Sequence, residues 1–153
     1  MEEEDFATLT DRWNGVRGYQ PGSPDHERMT NIMMGWWAAL LAAADENGDG
    51  KVSLDEVMLV VDQLPSMRDQ VGATADSMFA AVDRDGDGSV DRDEFKEMIR
   101  LWKQSDSGTD KIFPLLDADG DGRISRDEFS SLWCGFWIDD DESSPAKWIF
   151  GPF

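Results

Sequence analysis

The chain has 153 residues, 40% hydrophobic and 10% aromatic, which can furnish an apolar core and excludes a disordered acidic tail. Its 33 Asp and Glu against 14 Lys and Arg leave a formal charge of -19, which repels nucleic acid and anionic lipid and attracts cations. No apolar run approaches the ~20 residues of a bilayer span, the acidic start lacks the regions of a secretory signal, and Cys134 is the only cysteine, so the expectation is a cytoplasmic chain with no membrane or nucleic-acid partner.

The chain opens with "EEDFATLTDRW", in which Phe6, Leu9 and Trp13 follow an acidic start at helical spacing. "GYQPGSPDHE" then reads as a linker ending in a helix start, with Ser23 as cap, Pro24 at the first position, and Asp25 and Glu27 in the first turn. His26 is a solvated residue of that start. Next come three copies of one twelve-residue pattern: "DENGDGKVSLDE" from Asp45, "DRDGDGSVDRDE" from Asp83 and "DADGDGRISRDE" from Asp117. Each copy is entered by an apolar set (Leu40, Leu41, Ala44; Met78, Phe79, Val82; Ile112, Phe113, Leu116) and left by another (Val57, Val60, Leu64; Phe95, Met98, Trp102; Phe129, Leu132, Phe136). Both recur at helical intervals, so every copy is a loop between two helices. Pro65 is expected to end the helix after the first loop, and "QSDSGTD" separates the second and third units. Pro114 lies inside a predicted helix, which it should kink or shorten.

The spacing within the loops suits a hard divalent cation, which needs six to eight oxygens converging on one point. Positions one, three and five supply side-chain oxygens: Asp45, Asn47, Asp49; Asp83, Asp85, Asp87; and Asp117, Asp119, Asp121. Position six must turn sharply and is Gly50, Gly88 and Gly122. Position seven offers its backbone carbonyl, so Lys51, Ser89 and Arg123 can differ in side chain. Position nine, often acting through water, is Ser53, Asp91 and Ser125, and position twelve, the bidentate carboxylate, is Glu56, Glu94 and Glu128. Acidic surface turns could imitate one such loop; three full matches make that reading weak. "DRWNGVRG" at Asp11 is not a fourth, because Trp13 and Gly15 stand where oxygens are needed.

These residues resemble the calcium loop of the EF-hand family. The resemblance implies an all-α fold: a compact array of helix-loop-helix hands with short β contacts between paired loops, and calcium at three sites with magnesium as a competitor. On the same ruler Asp5 falls where Glu94 and Glu128 fall, and Phe6, Leu9 and Trp13 repeat the exit-helix spacing, so the amino terminus reads as the remnant of a fourth hand whose loop would start before Met1. An ordinary amphipathic helix with an acidic start is the other reading. The second and third hands, joined by a short linker, are expected to pair through Val90 and Ile124. Val52 of the first loop would then dock on the amino-terminal remnant or on another chain. That gives an expected amino-terminal lobe over residues 1–64 and a carboxy-terminal lobe over 65–153.

The closing "GFWIDDDESSPAKWIFGPF" is too aromatic for an exposed end, with Trp137, Trp148, Phe150 and Phe153 among its acids. An EF-hand chain with such an ending is similar to the sarcoplasmic calcium-binding proteins, including bacterial relatives of the calerythrin type. That resemblance implies a monomeric intracellular calcium buffer or store, its tail folded over the helices and capping apolar surface. The alternatives are a calcium sensor that opens an apolar groove to a target protein, kept alive by eight methionines, and a carrier of an apolar small molecule, since coelenterazine-binding proteins resemble the same branch. Light emission is disfavoured because His26 and Tyr19 are the only residues of their types. Catalysis has no support, the carboxylates being committed to metal and no nucleophile having a base. Ligating carboxylates number three, five and four in the three loops, so the Asp83 loop is expected to bind most tightly.

Overall fold

Apolar residues at helical spacing on either side of each acidic loop fold, among the described residues, into seven α-helices: α1 (Glu3–Arg17), α2 (Pro24–Ala44), α3 (Leu54–Val61), α4 (Arg68–Val82), α5 (Arg92–Lys103), α6 (Thr109–Leu116) and α7 (Arg126–Ile138). Two short strands, β1 (Ser89–Val90) and β2 (Ile124–Ser125), and two 3-10 turns, Leu64–Ser66 and Pro145–Trp148, complete the elements. The computed structural model describes residues 2–139, 141 and 143–152; Phe153, expected in the folded tail, lies outside them. The chain divides into two compact units, Met1–Gln63 and Leu64–Phe153.

In the first unit α2 starts as its sequence dictates: Pro24 occupies the first turn and the Ser23 hydroxyl accepts from the His26 amide at 3.2 Å. α1 packs on α2, with Phe6 and Trp37 rings 5.4 Å apart. Trp13, Met29 and Met33 are fully buried, and Val52 joins Trp37 and Ala44 in a cluster lined by Phe6, Leu41 and Val57. The first loop thus docks on the amino-terminal helix, the first of the two destinations expected of it. α3 is short and stops at Val61, so Leu64, expected on its inner stripe, lies in the following 3-10 turn with Pro65. On its outer side Leu54 is 75% exposed, Met58 52% and Leu59 51%.

In the second unit α4 packs on α7, and α5 on α6. Phe79 meets Phe129 edge-on at 5.6 Å and Phe95 meets Phe113 at 5.7 Å. All four rings are buried, each contributing about 1.5–3 kcal/mol by leaving water. The strands pair antiparallel with Ser89 opposite Ser125 and Val90 opposite Ile124, so the second and third hands are partners as expected.

α6 passes through Pro114 and is only 8 residues long. Proline removes the amide that would bond the carbonyl of Asp110, one turn earlier. That carbonyl accepts instead from Arg92 Nη1 at 3.4 Å, while the Arg92 guanidinium lies over the Phe113 ring at 5.1 Å. The helix nevertheless continues to Leu116, directly before its loop as α2 and α4 do, so Pro114 does not end it early as expected; α5 supplies the missing donor.

The tail lies on the second unit. Ala146, Ile149 and Gly151 are buried. Phe150 inserts among Trp102, Trp133, Phe136 and Trp137, at 6.1, 5.4, 4.8 and 6.0 Å between ring centroids. Lys103 Nζ donates to the Pro152 carbonyl, tying the end of the tail to α5. Trp137, expected to be buried with these rings, keeps 37% of its surface exposed, because it stands at the rim of the cluster.

Candidate metal centres

Twelve residues suffice to build each loop, so its internal hydrogen bonds repeat three times. The first-position carboxylate is the hub. Asp45 Oδ1 accepts from the amides of Gly48 and Asp49 at 2.8 and 3.1 Å, and its Oδ2 from Gly50 at 3.0 Å. Asp83 does the same with Gly86, Asp87 and Gly88, and Asp117 with Gly120, Asp121 and Gly122. The amide of position seven donates to position five in every copy: Lys51 to Asp49, Ser89 to Asp87, and Arg123 to Asp121. These turns need left-handed backbone at position six, where Gly50, Gly88 and Gly122 have φ of 77, 86 and 88°. They need it at position four as well, where Gly48, Gly86 and Gly120 have φ of 74, 73 and 76°. The sequence carries this second requirement as the glycine repeated at position four of every loop.

Position twelve belongs both to the loop and to the helix after it. In each copy its carboxylate accepts from the amide of position nine, which caps that helix: Glu56 from Ser53 at 2.8 Å, Glu94 from Asp91 at 3.0 Å, and Glu128 from Ser125 at 2.8 Å. The same device recurs at the start of α1, where Asp5 Oδ2 accepts from the Glu2 amide at 2.8 Å. A capping box of this kind fits either reading of the amino-terminal helix, and Lys51 of the first loop reaches Glu2 at 2.7 Å.

The other oxygen of position twelve differs between loops. Glu94 Oε1 accepts from the amides of Arg84 and Asp85 at 2.7 and 3.4 Å, and Glu128 Oε1 from those of Ala118 and Asp119 at 2.9 and 3.4 Å. In the first loop the Asn47 side-chain amide donates to Glu56 Oε1 at 3.0 Å. The Ser53 amide, with the Ser53 hydroxyl, holds Glu56 below its ordinary value of 4.5. Burial would raise Glu128, but the amide and hydroxyl of Ser125 outweigh it and hold it low. At Glu94, which is 3% exposed, burial prevails over the Asp91 and Arg84 amides and pushes the carboxyl up.

Carboxylate oxygens of Asp83, Asp85 and Asp87 lie within 4.8 Å of one another, as do those of Asp117, Asp119 and Glu128. Asp91 and Glu94 lie outside the first triple and Asp121 outside the second. Among the described residues the first loop, with Asn47 at its third position, assembles no triple of acids. Every side chain aimed inward from positions one, three, five, nine and twelve offers oxygen. That donor set fits a hard divalent cation of the calcium or magnesium type and not a metal that prefers nitrogen or sulfur. A contact between loops went unforeseen in the sequence: Arg123 Nη1 donates to Asp87 Oδ2 and, at 2.6 Å, to Ser89 Oγ.

A helix-loop-helix pair joined through a two-stranded contact, with an oxygen cage in each loop, defines an EF-hand pair. The EF-hand domain pair model matches residues 37–100 and 75–134. The chain belongs to this family and is a calcium-binding EF-hand protein. No curated protein sequence matches it. Among solved structures it resembles a sarcoplasmic calcium-binding protein from amphioxus (TM-score 0.77, 17% identity, covering 100% of this chain and 86% of that one). It also resembles a calcium-binding protein of Streptomyces coelicolor (TM-score 0.73, 18% identity, 92% and 88% covered). A third is the calcium-loaded apo form of coelenterazine-binding protein from Renilla muelleri (TM-score 0.68, 23% identity, 100% and 85% covered). At these identities the likeness is one of fold.

Proposed function

We propose that the chain is an intracellular calcium buffer or store that binds one ion in each of its three loops, through the residues named above at positions one, three, five, seven, nine and twelve. The observation that carries this reading is the seat of the tail. Phe150, Ile149 and Ala146 occupy the apolar surface that α5 and α7 would otherwise present to a target. The sarcoplasmic calcium-binding protein of amphioxus has the same fold, which is consistent with it. The test is a calorimetric calcium titration with magnesium present: three ions are expected, with heat that diminishes but persists in millimolar magnesium. Fewer than three ions would remove the reading of the loops as equivalent working sites.

The exposed Leu54, Met58 and Leu59 on α3 favour a second reading, a sensor that offers apolar surface to a partner. The Streptomyces coelicolor protein is described in terms of calcium-mediated regulation. Fluorescence of an apolar dye separates the two readings, rising with calcium in a sensor and staying flat or falling in a buffer.

A pH dependence follows from the twelfth-position carboxylates, which must be ionised to ligate. Protons compete with calcium at Glu94, whose pKa lies above its ordinary 4.5, sooner than at Glu56 and Glu128, whose pKa values lie below it. As pH falls from neutrality, calcium affinity is expected to decline first at the second loop. Site-resolved titrations between pH 7 and about 5 check this; a first or third loop that weakens before the second contradicts it.

A further inference from the structure

Position seven contributes only its backbone carbonyl to a metal, which leaves the Arg123 side chain without a role inside its own loop. The pairing of Ser89 with Ser125 and Val90 with Ile124 sets the two loops side by side, and Arg123 crosses between them. Its Nη1 donates to Asp87 Oδ2 and to Ser89 Oγ, while Ser89 Oγ donates to Asp87 Oδ1 at 2.7 Å. Arg123, Ser89 and Asp87 therefore close a triangle around a side chain at the fifth position of the neighbouring loop. Asp87 acts on Arg123 most strongly, through its hydrogen bond and its charge, and Asp91 and Asp85 of the same loop add to it.

We propose that Arg123 is an electrostatic brake on the second loop, a cation supplied by the third hand that occupies the Asp87 carboxylate and with which a divalent ion must compete. The proposal rests on the calcium-loop reading above. It opposes the order expected from counting carboxylates, because a cation from the neighbouring loop is hydrogen-bonded to the fifth position of the second loop, whereas in the first loop the Lys51 ammonium is hydrogen-bonded to Glu2 and acts on Asp49 only through space. Arg123 also relieves repulsion among those acids in the metal-free chain, which further narrows the advantage of binding calcium there.

The glycine amides at position six give each loop its own reporter in the intact chain, since Gly50, Gly88 and Gly122 donate to Asp45, Asp83 and Asp117 at 3.0, 3.1 and 2.8 Å. In a chelator-buffered calcium titration followed by 15N NMR at low salt, R123Q is expected to tighten the Gly88 transition by about three- to tenfold. The Gly122 transition should move by less than about twofold, and R123K should stay near the parent chain at both. The Gly88 difference should shrink at roughly 0.5 M salt, where charges more than a few ångströms apart are screened. An unchanged or weakened Gly88 transition in R123Q, or an equal shift at Gly122, overturns the brake and leaves the calcium loops standing. Silence of all three amides on adding calcium overturns both.

Discussion

Stripping calcium with a chelator is expected to lower the melting temperature of the chain by roughly 15–30 °C relative to saturating calcium. A ligand that binds only the folded state at 100 times its dissociation constant adds about 2.7 kcal/mol per site, so three loops add about 8 kcal/mol. In a domain of this size each kcal/mol moves the midpoint by about 2–4 °C. The structural origin lies in carboxylates held together by the loop backbone, such as Asp83, Asp85 and Asp87 within 4.8 Å. Without a cation they repel, and three divalent ions would reduce the formal charge from -19 to -13. Scanning calorimetry with and without chelator reads the shift directly. Because the first unit holds one loop and the second holds two, the second should gain more if the units melt separately. A shift below about 3 °C would be incompatible with three working sites.

Phe150→Ala is expected to destabilise the second unit by about 3 kcal/mol and to raise the binding of an apolar dye. The Phe150 ring touches Trp102 of α5 and Trp133, Phe136 and Trp137 of α7, so truncation leaves a void that none of these large rings can readily fill. Its partial burial places the effect at the lower end of the range for core phenylalanines. A companion variant acts from the opposite side: a Cβ added at Gly135 would meet Ala146 Cβ at 2.9 Å. Gly135→Ala should therefore lift the 3-10 turn from α7 and reproduce the gain in dye binding without removing an aromatic group. Denaturant unfolding and dye fluorescence are the two measurements. If F150A changes neither, the tail does not cap the helices and the sensor reading gains.

Much of the fold and of the candidate sites was legible in the sequence, for a physical reason particular to these loops. A cage built from twelve consecutive residues satisfies its own hydrogen bonds, so the hub at Asp45, Asp83 and Asp117, the turn at position six and the cap closed by Glu56, Glu94 and Glu128 are encoded locally. The apolar sets flanking the loops likewise report the helices, because burial of one face demands their spacing.

What the tertiary structure alone decided are the partners that lie far apart along the chain. Pro114 looked like a defect until Arg92 of α5 took the carbonyl it had freed, and Trp137 fell at the rim of an aromatic cluster rather than in it. Arg123 had seemed indifferent because its own loop uses only its carbonyl, yet the strand register points it at Asp87 of the neighbouring loop. Composition and spacing specify which groups a residue needs within one or two turns. Which distant group answers depends on how whole elements pack, and that is a property of the folded chain.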